Sequence, residues 1–439
     1  MKLINGKKID FYYLDIEEDI DRLVEIFSSV KLIAVDTETY ALNNIYSKAS
    51  ALDCHTSSIR LLQLNYSNCN TPYVVDCLKI GLDKVKYFVD RILADPNKIK
   101  VAFNFPFDLK IIKKNFDVWL DNSHCVQIMM QLIGGATGYK WHQSMGYSYK
   151  ALCRDYLDCN LNKEYGASDW ANPNLSLSQL EYAALDVGAP KNSVHSSLLI
   201  SAYDLFLNLI TSKSPHGYGM EIENSIEQDA MREVARMEYT GLPVNPEFIK
   251  AFAPAVENEL KQAEIKLAKI LNLPLVSEIK IIEGIPSIKY KLDLNTQKFL
   301  RSPTKLISLI VQSCNYYDEL IENLDAKTIE IIITNLKQNL VKEPSSKIEI
   351  TKDLTLFQEL LELKKIQKML DKDWLHLINP VTKCIHAGYR TIGTSTGRMS
   401  SSGSIFGIRF NAQQIPRKKI VIDIDSNIDN IFVSKSKIL

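Results

Sequence analysis

Apolar and polar positions along the chain fall into two rhythms. In roughly the first quarter, short apolar or alternating runs at residues 10–14, 32–38, 59–66, 73–76 and 100–103 have the length and spacing of β-strands. Between them lie stretches of helical period. Residues 16–28 carry Ile20, Leu23, Val24 and Phe27 with acidic residues early, which suits a helix N-terminus. Residues 82–93 read as an amphipathic helix, and residues 108–116 begin another. Beyond them the pattern is mainly helical. Strands with interleaved helices, followed by a helical stretch, predict an α/β domain with a mixed sheet.

A second rhythm occupies the remainder. Residues 212–219 are rich in turn formers and predict a linker. Residues 221–239 then read as a long helix with Ile222, Ile226, Met231, Val234 and Met237 as its apolar positions. Helices are also expected at 257–271 and 354–377. Residues 275–290 and 301–350, biased toward Ile, Lys and Asn, read as strands and helices of an insertion. The expected organisation is three parts: 1–212, 213–378 and 379–439.

Composition changes this picture little. A chain of 439 residues with 46% hydrophobic and 24% charged residues can bury more than one core. Eight cysteines show no C-x-x-C pair and no zinc-like grouping with histidine, which predicts reduced thiols rather than disulfides or a zinc site. No apolar run reaches 18 residues and the N-terminus has no apolar signal core, so a cytoplasmic protein is expected. Formal net charge is zero, yet between Thr382 and Lys419 there are seven Lys/Arg and no Asp/Glu. That local excess is a nucleic-acid footprint the global balance hides.

Candidate chemistry starts at Asp36-Thr37-Glu38. One residue apart on a strand, the two carboxylates point the same way, repel each other and resist desolvation unless a cation lies between them. Two other stretches can complete such a site. In 101–109, VAFNFPFDL, Asp108 stands at a strand-to-helix junction. In 176–187, SLSQLEYAALDV, Ser176 is a plausible N-cap, and Tyr182 and Asp186 share one helix face.

D-x-E on a strand, N-x-x-F-D after a second strand and Y-x-x-x-D on a later helix, with Ser168-Asp169-Trp170 upstream, resemble the three motifs of 3′→5′ exonucleases of the ribonuclease D and proofreading type. The resemblance covers about residues 10–205. It implies a ribonuclease H-like mixed sheet flanked by helices and a two-metal phosphodiester hydrolysis with Mg²⁺ or Mn²⁺, ions that suit hard oxygen ligands. By resemblance, Asp36, Glu38 and Asp186 hold one ion, Asp36 bridges to the second, and Asp108 acts through a water. Tyr182 orients the attacking water, and Asn104 and Phe107 lie against the terminal nucleotide. Gly188 and Pro190, where the family continues a clean helix, predict a kink just past Asp186.

The later half resembles family-A DNA polymerases. EVARMEYTGLPVNPEFI at 233–249 and LDLNTQKFL at 292–300 are similar to thumb elements, and the long helix at 354–377 to the second arm of the thumb. T-x-T-G-R-x-S-S at 394–401, followed by N-x-Q-x-I-P-R at 411–417, is similar to the entry of the palm. The resemblance implies a mostly helical thumb-like region and duplex DNA contacts. Arg398 would reach the minor groove, with Thr394, Thr396, Ser400 and Ser401 on phosphates and Gln413 and Gln414 near the duplex. Arg390 and Arg417 add to the basic footprint. The polymerase's Asp-Tyr-Ser and His-Asp motifs have no counterpart, and Asp423 and Asp425 do not stand in for them. The expectation is therefore an exonuclease without polymerase activity of its own, from a truncated or split polymerase whose palm and fingers sit on a second polypeptide. The rivals are a ribonuclease D-like exoribonuclease and a non-catalytic DNA-binding subunit.

Overall fold

The computed structural model describes residues 1–42, 51–136, 147–161, 165–166, 168–212, 218–282, 285–317, 319, 321–370, 375–394, 397–401, 403–405 and 408–414. Its contacts divide the chain into two compact units, one of Met1–Pro243 with Leu377–Gln414 and a second beginning at Val244–His376.

In the first unit, among the described residues, seven strands form one sheet in the order β1-β2-β5-β4-β3-β6-β7. They are β1 (Lys2–Asn5), β2 (Asp10–Leu14), β3 (Leu32–Ala41), β4 (Ser57–Tyr66), β5 (Tyr73–Asp76), β6 (Ile99–Ala102) and β7 (Ser123–Cys125). β4 runs antiparallel to both β3 and β5, while β3, β6 and β7 are parallel neighbours. A long central β3 flanked by an antiparallel hairpin partner on one side and parallel crossovers on the other is the ribonuclease H-like mixed sheet expected from the sequence. The strands at 10–14 and 73–76 have the expected bounds. The short outer strands β1 and β7 carry no alternating apolar signal, and the sequence pattern misses them.

The helices cover both faces. They are α1 (Glu18–Ser28), α2 (Cys77–Ile80), α3 (Leu82–Phe88), α4 (Pro106–Phe116), α5 (Val126–Ala136), α6 (Tyr149–Leu157), α7 (Leu177–Val187), α8 (Leu198–Ser212) and α9 (Tyr218–Thr240). One apolar core collects Leu23, Phe27, Val35, Leu62, Phe88 and Ile112; another collects Ala34, Val101, Met129, Leu152, Leu199 and Phe206. The expected helix at 82–93 leaves α-geometry at Val89–Leu93, a π-type turn.

Three expectations need correction. Gly188 and Pro190 do not kink a continuing helix; they end it. α7 stops at Val187, and Gly188 is extended, with its amide on the Ala184 carbonyl. A Cβ at Gly188 would sit 2.5 Å from Ile9 Cδ1 and 2.8 Å from the Ala184 carbonyl oxygen, so the close crossing admits no side chain. Second, the apolar face assigned to α9 is not its buried face. Ile222, Ile226 and Met237 are exposed, whereas Asn224, Gln228 and Glu238 are buried with Met231 and Val234. The polar residues have partners: Gln228 accepts from the Cys125 amide at 2.7 Å and donates to the Cys125 carbonyl at 3.2 Å, bonding the end of β7. Third, the helix expected at 354–377 is α14, which spans Lys347–Leu370. The predicted linker lies mostly outside the described residues.

Residues 377–414 belong to the first unit. β8 (Leu242–Pro243) pairs with β11 (Cys384–Ile385), and β12 (Tyr389–Arg390) pairs with β13 (Ser400–Ser401).

The second unit is built on α10 (Pro246–Ile270), a hairpin of β9 (Val276–Ile282) and β10 (Ile285–Lys291), α11 (Leu294–Leu300), α12 (Pro303–Ser313), α13 (Ala326–Lys342) and α14. Its core joins Val256, Leu260, Leu267, Ile310, Ile332, Phe357 and Leu363. α10 begins earlier than the pattern at 257–271 suggests and runs through Pro254, which is exposed. There the lost amide hydrogen bond faces water.

Candidate active site

β3 brings Asp36 and Glu38 to one face, and Thr37 between them is buried on the other. The register of β3 with β4 shifts between Glu38 and Thr39, a bulge that ends the regular pairing just past the second carboxylate. Bulges of this kind re-aim side chains beside functional sites.

α7 supplies Tyr182 and Asp186. Ser176 accepts from the Gln179 amide, and Gln179 answers to the Ser176 amide at 3.0 Å, so the helix begins in a reciprocal capping box. Ala183 and Ala184 are fully buried and small, letting the helix lie close to the sheet. At its C-terminus the Val187 carbonyl accepts from Ser197 Oγ at 2.7 Å and from Asn65 Nδ2 at 3.1 Å. Glu181, buried, accepts from the Lys8 amide at 2.9 Å, and Gly6 leaves room for it. The preceding loop is tied down by Arg60, whose Nη1 donates to the Asn172 carbonyl at 2.7 Å while Nη2 meets Asp76 at 2.9 Å.

β6 leads into α4 through Asn104, whose φ of 60° is left-handed, a conformation Asn tolerates better than most side chains. That turn and Pro106 in the first turn of α4 present Phe107 and Asp108 to the same cavity. Asp108 is buried and accepts from Thr37 Oγ1 at 2.6 Å.

One carboxylate oxygen each from Asp36, Glu38 and Asp186 lie within 4.8 Å of one another. They share a cavity of about 750 Å³ with Asn104, Phe107, Asp108 and Tyr182. Three hard oxygen donors this close suit a divalent cation of the Mg²⁺ or Mn²⁺ kind. Asp108 stands outside that trio but on the same cavity, and burial pushes its carboxyl up to about 7, against the Thr37 hydrogen bond. Burial, followed by the charges of Asp186, Glu38 and Asp36, pushes the Tyr182 phenol far above its ordinary value, so it stays protonated and hydrogen bonds to Asp186.

Residues of 377–414 are placed differently from one another. Arg390 lines the cavity of the carboxylates, beside Tyr389 and Thr391. Arg398 and Thr394 are exposed in a turn closed by the Arg398 amide donating to Thr394 Oγ1 at 3.0 Å. Ser400 pairs with Arg390 across β12 and β13 and lies against Gly393. Ser401 corrects an expectation: it is buried, donating to the Gly388 carbonyl at 3.2 Å and accepting from the Ala412 amide at 3.0 Å, so its hydroxyl braces the loop rather than facing a phosphate. Gln413, exposed, bonds within the same segment, accepting from the Ser401 amide at 3.3 Å and donating to the Met399 carbonyl at 3.2 Å. Gln414 falls in a short 3₁₀ turn. Thr396, Arg417, Asp423 and Asp425 lie outside the described residues. Sequence reasoning missed Glu238, a buried carboxylate on α9 that pairs with Lys110 and accepts from the Tyr389 amide at 2.6 Å. Its sequence position reads as the solvent side of an amphipathic helix, and nothing local marks it.

A mixed sheet with a carboxylate cluster on its long strand suits a metal-dependent nuclease. Residues 11–190 match the family model for the 3′–5′ exonuclease of DNA polymerase A type, and this stretch is a domain of that family, which is generally divalent-metal dependent. Along 408 residues, 90% of this chain, it is 24% identical to DNA polymerase I of Aquifex aeolicus, covering 57% of that protein. Along 440 aligned residues, 98% of this chain, it is 22% identical to DNA polymerase I of Borreliella burgdorferi, covering 41% of that protein. The chain thus spans about half the length of these relatives. Among solved structures, the catalytic core of RRP6 from Trypanosoma brucei is 15% identical with a TM-score of 0.42, over 82% of each chain. Brucella melitensis NrnC with bound Mg²⁺ is 19% identical with a TM-score of 0.36, over 51% of this chain and 89% of that one. Among the described residues no helix is long and apolar enough to cross a membrane. The eight cysteines are free, four of them buried.

Proposed function

We propose that this chain removes mononucleotides from the 3′ end of single-stranded DNA in a metal-dependent hydrolysis of the proofreading type. The observation that carries this reading is the convergence of Asp36, Glu38 and Asp186 within 4.8 Å at a cavity that Tyr182 and Asp108 also line. Two divalent ions bound there would supply an activated water and charge stabilisation on the leaving 3′ oxygen. The protein's own part is to hold the donors and the strand. Asp36, Glu38 and Asp186 would hold a divalent ion. Asp108 would act through a water. Tyr182, kept protonated and bonded to Asp186, would orient the reacting water, and Asn104 and Phe107 would seat the terminal nucleotide. Residues 213–378 and 379–414 serve as thumb and palm entry, with Arg398 and Thr394 toward duplex DNA. The choice of DNA rests on the polymerase-type relatives and the basic 382–419 segment.

The test compares digestion of sequence-matched, 5′-labelled DNA and RNA single strands in Mg²⁺ and in Mn²⁺. Stepwise loss from the 3′ end of DNA, abolished by Asp36→Ala with duplex binding retained, is expected. Strong preference for RNA would replace the substrate, and an inert wild type in both metals would replace the activity.

A further inference from the structure

The carboxylate cavity contains four acidic side chains and, among its described lining residues, one basic side chain, Arg390. Its guanidinium is exposed on β12 and makes no ion pair among the described residues. A buried carboxylate ties the strand that carries Arg390 to α4 and α9. Glu238 accepts from the Tyr389 amide at 2.6 Å and pairs with Lys110, which lies two residues past Asp108 on α4. The Glu238 carbonyl also meets His386 Nδ1 at 2.7 Å. Thus α4, α9 and β12 meet at Glu238, and the position of Arg390 is indexed to the helix that carries Phe107 and Asp108.

A nucleic-acid strand entering this cavity brings a phosphate for every nucleotide into a field of carboxylates. The scissile phosphate must reach the Asp36, Glu38 and Asp186 cluster. A phosphate nearer the mouth meets an exposed guanidinium, the planar donor suited to it. We propose that Arg390 binds a backbone phosphate upstream of the scissile bond, and that Glu238 is the positioning residue that holds it there. This rests on the exonuclease reading and deepens it: residues 377–414 then form part of the path of the strand being digested, and not only a surface for duplex.

The test uses the full chain with Arg390→Ala, Arg390→Lys and Glu238→Gln, on 5′-labelled single strands from two to ten nucleotides. For Arg390→Ala, a KM penalty that grows with length to about tenfold is expected, the size of one lost charge-assisted contact. kcat should change much less than KM. The salt dependence of binding should flatten by about 0.7 in log–log slope, one phosphate contact on a single strand. Arg390→Lys should recover part of the loss, and Glu238→Gln should show the same length-dependent KM pattern at smaller size. A penalty equal at every length, or one that falls on kcat alone, overturns the proposal. Anisotropy binding of a ten-nucleotide strand to wild type and Arg390→Ala in EDTA reads the contact without turnover. Equal affinity there overturns the Arg390 contact, while an inert wild type overturns only the exonuclease reading.

Discussion

Two aspartates on the strands that flank β4, Asp36 within β3 and Asp76 at the end of β5, have opposite surroundings. Asp76, at the end of β5, is fully buried against the Arg60 guanidinium at 2.9 Å and accepts from the Tyr13 hydroxyl at 2.6 Å. Asp36, on β3, is half-buried and turned toward Glu38 and Asp186. One carboxylate has its counter-charge built into the protein. The other stands in a group whose mutual repulsion is relieved when a cation binds. Both follow apolar strand residues in the sequence, yet the first ties the fold together and the second belongs to the proposed metal cluster. The two are linked, because Arg60 also bonds the 172–173 loop that leads into α7 and so sets where Tyr182 and Asp186 fall.

This contrast predicts that activity and stability separate. Asp36→Ala should lower the exonuclease rate by roughly 10³-fold or more, since each decade is about 1.36 kcal/mol and a metal-assembled charge clamp is worth several kcal/mol. Its chelator-treated melting temperature should stay level or rise, because one member of a repelling group is gone. Arg60→Met should do the reverse in kind. It leaves Asp76 buried without its cation and should cost about 3–5 kcal/mol of unfolding free energy by denaturant titration. If Asp36→Ala unfolds the domain while Arg60→Met spares it, the assignment of the two carboxylates is inverted.

The sequence discloses the chemical group more readily than the structural one. Asp36 and Glu38 announce themselves because two like charges one residue apart on an apolar strand need a reason. Tyr182 and Asp186 follow from helical spacing. Asp76 and Arg60 give no such sign: Asp76 is one acid after an apolar run, Arg60 is one of several polar residues on β4, and their meeting depends on the β4–β5 register, in which Leu61 faces Asp76. The same limit explains α9. Periodicity marks Ile222, Ile226 and Met237 as the inner face, but the helix rests on the end of β7, where backbone amide and carbonyl groups need partners. Gln228 satisfies them, so polar residues turn inward. Asn104 shows the legible middle case, where a motif position is explained by the left-handed turn it occupies.

Asp108 and His124 sharpen the comparison through pH. The buried Asp108 carboxyl, pushed up to about 7, keeps its proton in the folded state between about pH 4 and pH 7, where the unfolded chain has lost it. Its contribution to stability is therefore present at low pH and fades as pH rises through 7. Asp108→Asn, isosteric and uncharged, should remove that decline, so that in chelator the variant exceeds wild type at pH 8 by more than it does at pH 5.

His124, on β7 with its Nε2 3.1 Å from Asn122 Oδ1, is held down to about 4 by burial, with Arg232 and Lys100 adding to it. Its sign is opposite. The unfolded chain takes up a proton near pH 6.5 that the folded chain refuses until about pH 4, so stability is full above 6.5 and falls on acidification. A displacement of this size corresponds to at most about 3 kcal/mol. The two groups act across the same pH window with opposite slopes, so the wild-type curve conceals both. Burial holds the imidazoles of His55 and His386 down as well, and they share the His124 direction. His124→Gln should therefore flatten only part of the acid limb. Combined with Asp108→Asn, it should return a slope close to that of wild type. A double variant that keeps the full slope of either single one would show that the two groups do not titrate independently.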